Sequence, residues 1–138
     1  MNGFEVLAAT RGIYRPPGEM TLQRGIEQVA QALTRARGLD LEDILVNTTS
    51  LGGFDSPGIF ERYAMITRWV RCAASSLRIA IVTRPSFIDH QKIGVLIAQN
   101  RGAILEVFTD EASALKWLDA RRARASGRWP SSRRAAGY

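Results

Sequence analysis

Cysteine occurs once in the 138 residues, at Cys72, so no internal disulfide can form. It ends an apolar helical pattern beside Ala73 and Ala74, which reads as a small buried hydrophobe. Histidine also occurs once, at His90, and no HExxH or CxxC spacing exists, so metal-ligand motifs are missing. A serine triad would have only that one histidine to draw on. No Gly-Lys-Ser/Thr is present, which excludes a P-loop, and Gly52-Gly53 has no third glycine opening a helix at dinucleotide-fingerprint spacing. No catalytic residue, metal or cofactor is expected. The longest apolar runs, Ile79–Val82 and the stretch around Val95–Ala98, fall far short of the roughly 20 residues of a membrane span. The start, Met1 to Val6, shows neither the basic region nor the long apolar region of a secretory signal, so a cytoplasmic location is expected.

Charge is present but localised. The net charge is +6, yet residues 1–120 balance their 13 acidic residues with as many Lys and Arg. Residues 121–138 carry six arginines and no acid, so all the excess lies there. A domain that reads nucleic acid through its own surface is expected to show a basic stripe, and residues 1–120 show no net excess. The tail, with Trp129 and Tyr138, could contact phosphates and stack on bases without sequence preference. The alternative is a solvated tail in a chain that uses arginine 17 times and lysine twice, and nucleic-acid binding is not the expected role. The length suits one domain. The division expected is an α/β domain over 1–120 and a basic, disordered tail over 121–138.

The pattern along the chain is ββαβαβαβα. Phe4–Ala9 and Gly12–Arg15 read as two short strands of a hairpin turning around Thr10-Arg11-Gly12. Pro16-Pro17-Gly18 ends the second strand, and Thr21 caps a helix with Leu22, Ile26, Val29, Ala30 and Leu33 on one face, stopped by Gly38. Asp43–Asn47 is apolar on consecutive positions, as in a strand covered on both faces. A second helix is expected from Asp55-Ser56, with Pro57 at its first position and Ile59, Tyr63, Ile66 and Val70 on its inner face. Leu77–Thr83 reads as a central strand broken by Arg84-Pro85-Ser86. A third helix begins near Asp89 and carries Ile93, Leu96 and Ile97. Ala103–Phe108 is the last strand, and Thr109 caps a final helix with Ala112, Leu115 and Leu118 facing inward. Alternation of strands and helices implies a mainly parallel sheet, with the first hairpin adding an antiparallel edge strand. That edge, Phe4–Ala9, could pair with a second copy to give a homodimer.

The stretch Ile44–Ile59 carries the candidate site. It runs from a buried strand through a polar loop to a helix start, and the end of the sheet it reaches is where open α/β sheets bind ligands. Ser56 at a helix start could be phosphorylated where backbone amides favour negative charge; a plain helix cap is the simpler alternative. Arg84, at the same end, could join an anion site, or pair with Asp89 or Glu111.

Val46-Asn47, the loop, and Asp55-Ser56-Pro57-Gly58 together resemble the STAS domain family, which includes the bacterial anti-sigma-factor antagonists. In that family a strand ends in Asp, and Asp-Ser-x-Gly opens a helix. The strand Leu77–Val82 and the ending Val107-Phe108-Thr109-Asp110-Glu111-Ala112 are similar in position. The resemblance implies a regulatory, non-enzymatic domain with a protein partner, in which phosphorylation of the serine, here Ser56, blocks partner binding. Two positions depart from the pattern: Asn47 replaces the strand-end Asp, and Pro57 follows the serine. Arg84-Pro85, Ile88-Asp89, Asn100-Arg101-Gly102, Val107-Phe108 and Ala114-Leu115-Lys116-Trp117-Leu118 are similar to uncharacterised bacterial proteins of STAS-like or Sec14-like type, which implies a fold and no activity. The expected function is a STAS-like interaction module switched at Ser56, with Asn47, Phe54, Asp55, Gly58 and Arg84 on its working face. The alternative is a carrier of a small apolar ligand, held between the second helix and the sheet among Phe54, Phe60, Tyr63 and Trp69.

Overall fold

Apolar residues on consecutive positions demand cover on both faces of a strand, and each central strand meets that demand. The computed structural model describes residues 2–88 and 92–125. In chain order it forms β1 (Phe4–Leu7), β2 (Arg11–Tyr14), β3 (Gly18–Glu19), α1 (Leu22–Gly38), β4 (Asp43–Asn47), β5 (Leu51–Gly52), α2 (Ile59–Ala73), β6 (Arg78–Val82), α3 (Ile93–Asn100), β7 (Ile104–Phe108) and α4 (Glu111–Ala125). A single 3-10 turn, Pro85–Phe87, follows β6. The main sheet has the order β1-β2-β4-β6-β7, and only the β1–β2 pair is antiparallel. This is the mainly parallel α/β sheet with an antiparallel edge, and the four helices, that the alternating pattern predicts.

Side chains alternate across the sheet with period two. Tyr14, Ile44, Val46, Ile79, Ile81 and Leu105 point to the face covered by α1, α2 and α3. Ile13, Leu45, Ala80 and Val82 point to the other face, where Ala114 and Leu118 of α4 cover them. In α1, Thr21 caps the helix by accepting from the Arg24 amide at 3.2 Å, and Val29, Ala30 and Leu33 are buried as expected.

Register explains the one fully buried carboxylate among the described residues, Asp43. Arg11 of β2 lies directly opposite Asp43 of β4. Its Nε and Nη2 donate to the two Asp43 oxygens at 2.8 and 3.1 Å, and Arg122 of α4 adds a third donor at 3.1 Å. The hydrogen bond to Asp43 raises the Arg11 pKa above its ordinary value, against the opposing effect of burial. Arg122 therefore ties the far end of α4 to the sheet. The helix runs through Ala125, five residues into the stretch expected as tail; residues 126–138 lie outside the described residues.

Several expected boundaries move. The hairpin turn is Ala8–Thr10, with Ala8 and Ala9 at positive φ (52° and 62°), rather than Thr10–Gly12. Gly12 is needed inside β2, where a Cβ would sit 3.2 Å from the Ile44 and Leu41 side chains. Asp110, not Thr109, caps α4: its carboxylate accepts from the Ser113 amide at 2.7 Å. Consequently Ala114 and Leu118 turn inward and Ala112 stays exposed. α3 begins at Ile93, and its Leu96 is 51% exposed while Val95 and Ala98 are buried. The start expected near Asp89, and the role of His90, lie outside the described residues. β3 and β5 were not expected. They form a two-residue parallel ladder that ties the 48–54 loop to residues 18–20, extended by the Met20 amide donating to Gly52 at 2.9 Å.

Candidate functional site

The loop after β4 is fixed residue by residue. The Asn47 side-chain oxygen accepts from the Thr49 amide at 2.9 Å and from the Thr49 hydroxyl at 2.6 Å, which makes the first turn. Its Nδ2 donates to Glu111 Oε2 at 2.6 Å. Glu111 also takes two bonds from Arg15, at 2.7 and 2.8 Å. The Arg15 hydrogen bond, helped by Asn47, holds the Glu111 carboxyl at a pKa of about 2, below the usual carboxylate range. A carboxylate so strongly ionised serves as a structural anchor rather than a proton donor near neutral pH. An amide at position 47 suits this arrangement, because an aspartate there would set two carboxylates within bonding distance.

Beyond the turn, Gly53 sits at φ +96°, where a Cβ would lie 2.7 Å from the Met20 carbonyl oxygen, so the close approach of the two loops needs glycine. Phe54 then turns inward and meets Phe87 edge to face, with ring centroids 5.8 Å apart. Arg84 lies over Phe87, 4.6 Å from its centroid, and donates to the Leu51 carbonyl at 2.7 Å. It clamps the loop from within. It does not pair with Glu111, whose partner is Arg15.

α2 starts later than expected. Its cap is Gly58, whose amide donates to Glu61 Oε1 at 2.9 Å, and Ile59 is the first helical residue. Pro57 is buried as part of a cavity wall, and that packing keeps it out of the first turn. Ser56 therefore lies two residues before the cap, Gly58, instead of capping the helix itself. Ser56 is exposed, and its hydroxyl accepts from Arg62 Nη2 at 3.2 Å. Arg62 also donates to the carbonyls of Pro57 at 3.3 Å and Phe87 at 3.1 Å, joining the pre-helix segment to the 3-10 turn.

Of the residues singled out from sequence, the structure places Asp55, Ser56 and Gly58 together on the exposed rim. Asn47, Phe54 and Arg84 lie half-buried behind them as supports. The first turns of α2 add residues expected to be inside. Ile59 is 58% exposed, Phe60 87% and Tyr63 42%. The inner face of α2 is carried instead by Ile66, Trp69, Val70 and Ala73. The stripe Ile59-Tyr63-Ile66-Val70 is continuous in sequence, and its outward half is recognisable only once α3 and the loops are placed. Arg62 gives no signal in sequence, where it is one helical arginine among many.

Behind this rim lies a cavity of about 90 Å³ between the sheet and α1, α2 and α3. Its walls are mostly apolar and include Phe54, Trp69, Val29, Ile81 and Leu105, with Thr48, Thr83, Arg62 and Lys92 as the polar part. Phe60 and Tyr63, expected to contribute aromatic surface to a cleft there, are not part of it. Among the described residues no group of His, Cys, Asp or Glu is placed to hold a metal, and no helix is long and apolar enough to cross a membrane.

No family model and no curated protein matches the sequence. A solved structure of the anti-sigma factor antagonist SpoIIAA in its unphosphorylated form is similar, with a TM-score of 0.42 and 17% sequence identity, over 90% of this chain and 95% of that one. The fold described above rests on strand order and register, and the likeness adds no residue correspondence to it.

Proposed function

We propose that this chain is a non-enzymatic protein-interaction module that docks a partner on the rim formed by Asp55, Ser56, Gly58 and the first turns of α2. One observation carries the reading: Ile59, Phe60 and Tyr63 lie exposed next to an accessible serine. Isolated exposed apolar residues are ordinary, whereas a cluster rimmed by polar groups marks a contact surface. Phenylalanine and tyrosine are also residues enriched at the centres of interfaces. Asn47, Phe54 and Arg84 hold the rim in shape through the bonds described above.

The switch is placed at Ser56. A phosphate on its hydroxyl would add about two negative charges at a position already within reach of the Arg62 guanidinium. Ser56 and Phe60 belong to the same exposed segment, so the charge would enter the proposed apolar contact and weaken it. Incubation with host lysate and ATP, followed by phosphosite mapping, tests this. Label at Ser56, with partner capture lost in Ser56→Asp, is the expected result; no label together with unchanged capture removes the switch. Self-association through the β1 edge is read in the same experiment as recovery of a second copy.

A second reading, a carrier of a small apolar molecule, is favoured by the cavity behind the rim. Native mass spectrometry after gentle purification tests it, and repeated recovery of ligand-free protein counts against it.

A further inference from the structure

We infer that the groove between α1 and residues 16–20 is a docking site for an extended acidic segment of a protein partner. It shares no residue with the α2 rim. The groove is open and holds about 580 Å³. Arg24, Gln28, Gln31 and Arg35 line it from α1, and Pro16, Pro17 and Met20 line it from the chain that follows β2. The helical residues recur at spacings of 4, 3 and 4, which puts them in one row along the helix surface. From the first arginine of that row to the last the helix rises about 16 Å. About five residues of extended chain span the same length.

Charge selects the partner. The described lining carries both arginines and no acid. Residues 1–120 hold as many acidic as basic residues, so this is a local segregation of charge and not a reflection of the net value. Arg24 and Arg35 are exposed, and neither has an ion pair among the described residues. Arg35 rests on the Phe4 ring, 5.4 Å from its centroid, and Phe4 in turn meets the Tyr14 ring at 6.3 Å. That contact positions the guanidinium against the core and consumes none of its hydrogen-bond donors, which stay available to a carboxylate.

The residues between the arginines suit a peptide backbone. Gln28 Oε1 accepts from the Tyr14 hydroxyl at 3.3 Å, so its Nε2 keeps its N–H donors for a ligand. Gln31 is exposed and offers both a donor and an acceptor. An extended chain presents an N–H and a C=O at each residue and needs both kinds of partner. Pro16 and Pro17 have fixed φ, so their side of the groove is preformed and costs little ordering on binding. A nucleic acid finds less here: the aromatic residue of the described lining, Tyr14, is 1% exposed, so no ring is offered for base stacking.

Two short peptides of alanine and serine, titrated into the full chain and followed by NMR, test the inference. One carries a pair of glutamates about five positions apart, and the other has glutamine in their place. The glutamate peptide is expected to shift the Gln28 and Gln31 side-chain amide signals and to bind about tenfold more tightly than the glutamine peptide. Arg24→Gln and Arg35→Gln should each weaken the glutamate peptide about threefold and leave the glutamine peptide unchanged. Both positions are exposed, so folding is kept. Arg71→Gln, at an exposed arginine of α2 outside the groove, should bind as the parent does. Equal binding of the two peptides, binding of neither, or shifts confined to residues 121–138 would overturn the inference. An oligothymidylate that binds more tightly than the glutamate peptide, and is weakened by the same two substitutions, would also overturn it and assign the groove to nucleic acid.

Discussion

The Arg62 guanidinium lies 3.2 Å from the Ser56 hydroxyl, and the same group reaches the carbonyl of Phe87. One side chain on α2 thus couples the segment before the helix to the 3-10 turn over the cavity. Its loss releases several hydrogen bonds, each worth about 1 kcal/mol net. Arg62→Met should therefore speed amide exchange by about tenfold or more at Ser56, Gly58 and Phe87, with the central strands unchanged. Unchanged exchange in those segments would show that Arg62 does not couple them.

Asp43 is fully buried and bonded to Arg11 and Arg122. Breaking a buried ion pair costs about 3–5 kcal/mol; Arg11 keeps Asp119 at 2.9 Å and Arg122 keeps Glu42 at 3.1 Å, which sets the loss toward the lower end, about 3 kcal/mol. Asp43→Ala should lower stability to urea by that amount and raise exchange in the last turns of α4. A loss below about 1 kcal/mol would mean that water relieves the two arginines.

Acid stability follows from Glu111. Its pKa is about 2 when folded, against an ordinary 4.5. The stabilisation it gives is fully present above about pH 4.5 and is lost as the pH falls toward 2. Glu111→Gln should therefore be less stable than the parent by a constant margin above pH 5, and the margin should shrink between pH 4.5 and 2. Asn47→Asp shifts the carboxyl pKa the other way, yet its deficit follows the same pH trend. It sets a second carboxylate beside Glu111 and raises the pKa of the pair, so its deficit should be largest at pH 7 and narrow toward pH 4. Urea titrations at several pH values measure both, and a pH-independent deficit in either variant would contradict the assignment.

The hairpin holds Ala8 and Ala9 in the left-handed region, where each alanine costs about 1 kcal/mol. Ala8→Asn together with Ala9→Gly should raise stability by about 1 kcal/mol. A thermal midpoint at or below that of the parent would argue against this turn geometry.

Much of the architecture was legible because its signals are local. Ile79–Val82 and Ile44–Val46 need cover on both faces, Thr21 and Gly38 bracket α1, and the alternation of strands and helices implies parallel pairing. The turn in the first hairpin was misplaced because Gly12 looks like a turn residue in sequence, while in the structure its missing side chain makes room for Ile44. The start of α2 was misplaced because Ser56-Pro57 carries a helix-start signal that packing of Pro57 overrides. Loop chemistry singles out Asp55, Ser56 and Gly58, and the structure leaves all three exposed. Periodicity points Ile59 and Tyr63 inward, because it marks an apolar stripe and says nothing about which part of it is covered. The β3–β5 ladder, two residues long, leaves no periodic trace at all.

The most direct test is capture from host lysate with the full chain immobilised, comparing the parent with Phe60→Ser and with Val6→Ser on the β1 edge. Phe60 is 87% exposed, so its replacement should change stability by less than about 0.5 kcal/mol. The α2 rim account predicts a partner held by the parent and by Val6→Ser and lost with Phe60→Ser. Retention of that partner by Phe60→Ser at undiminished affinity would contradict it.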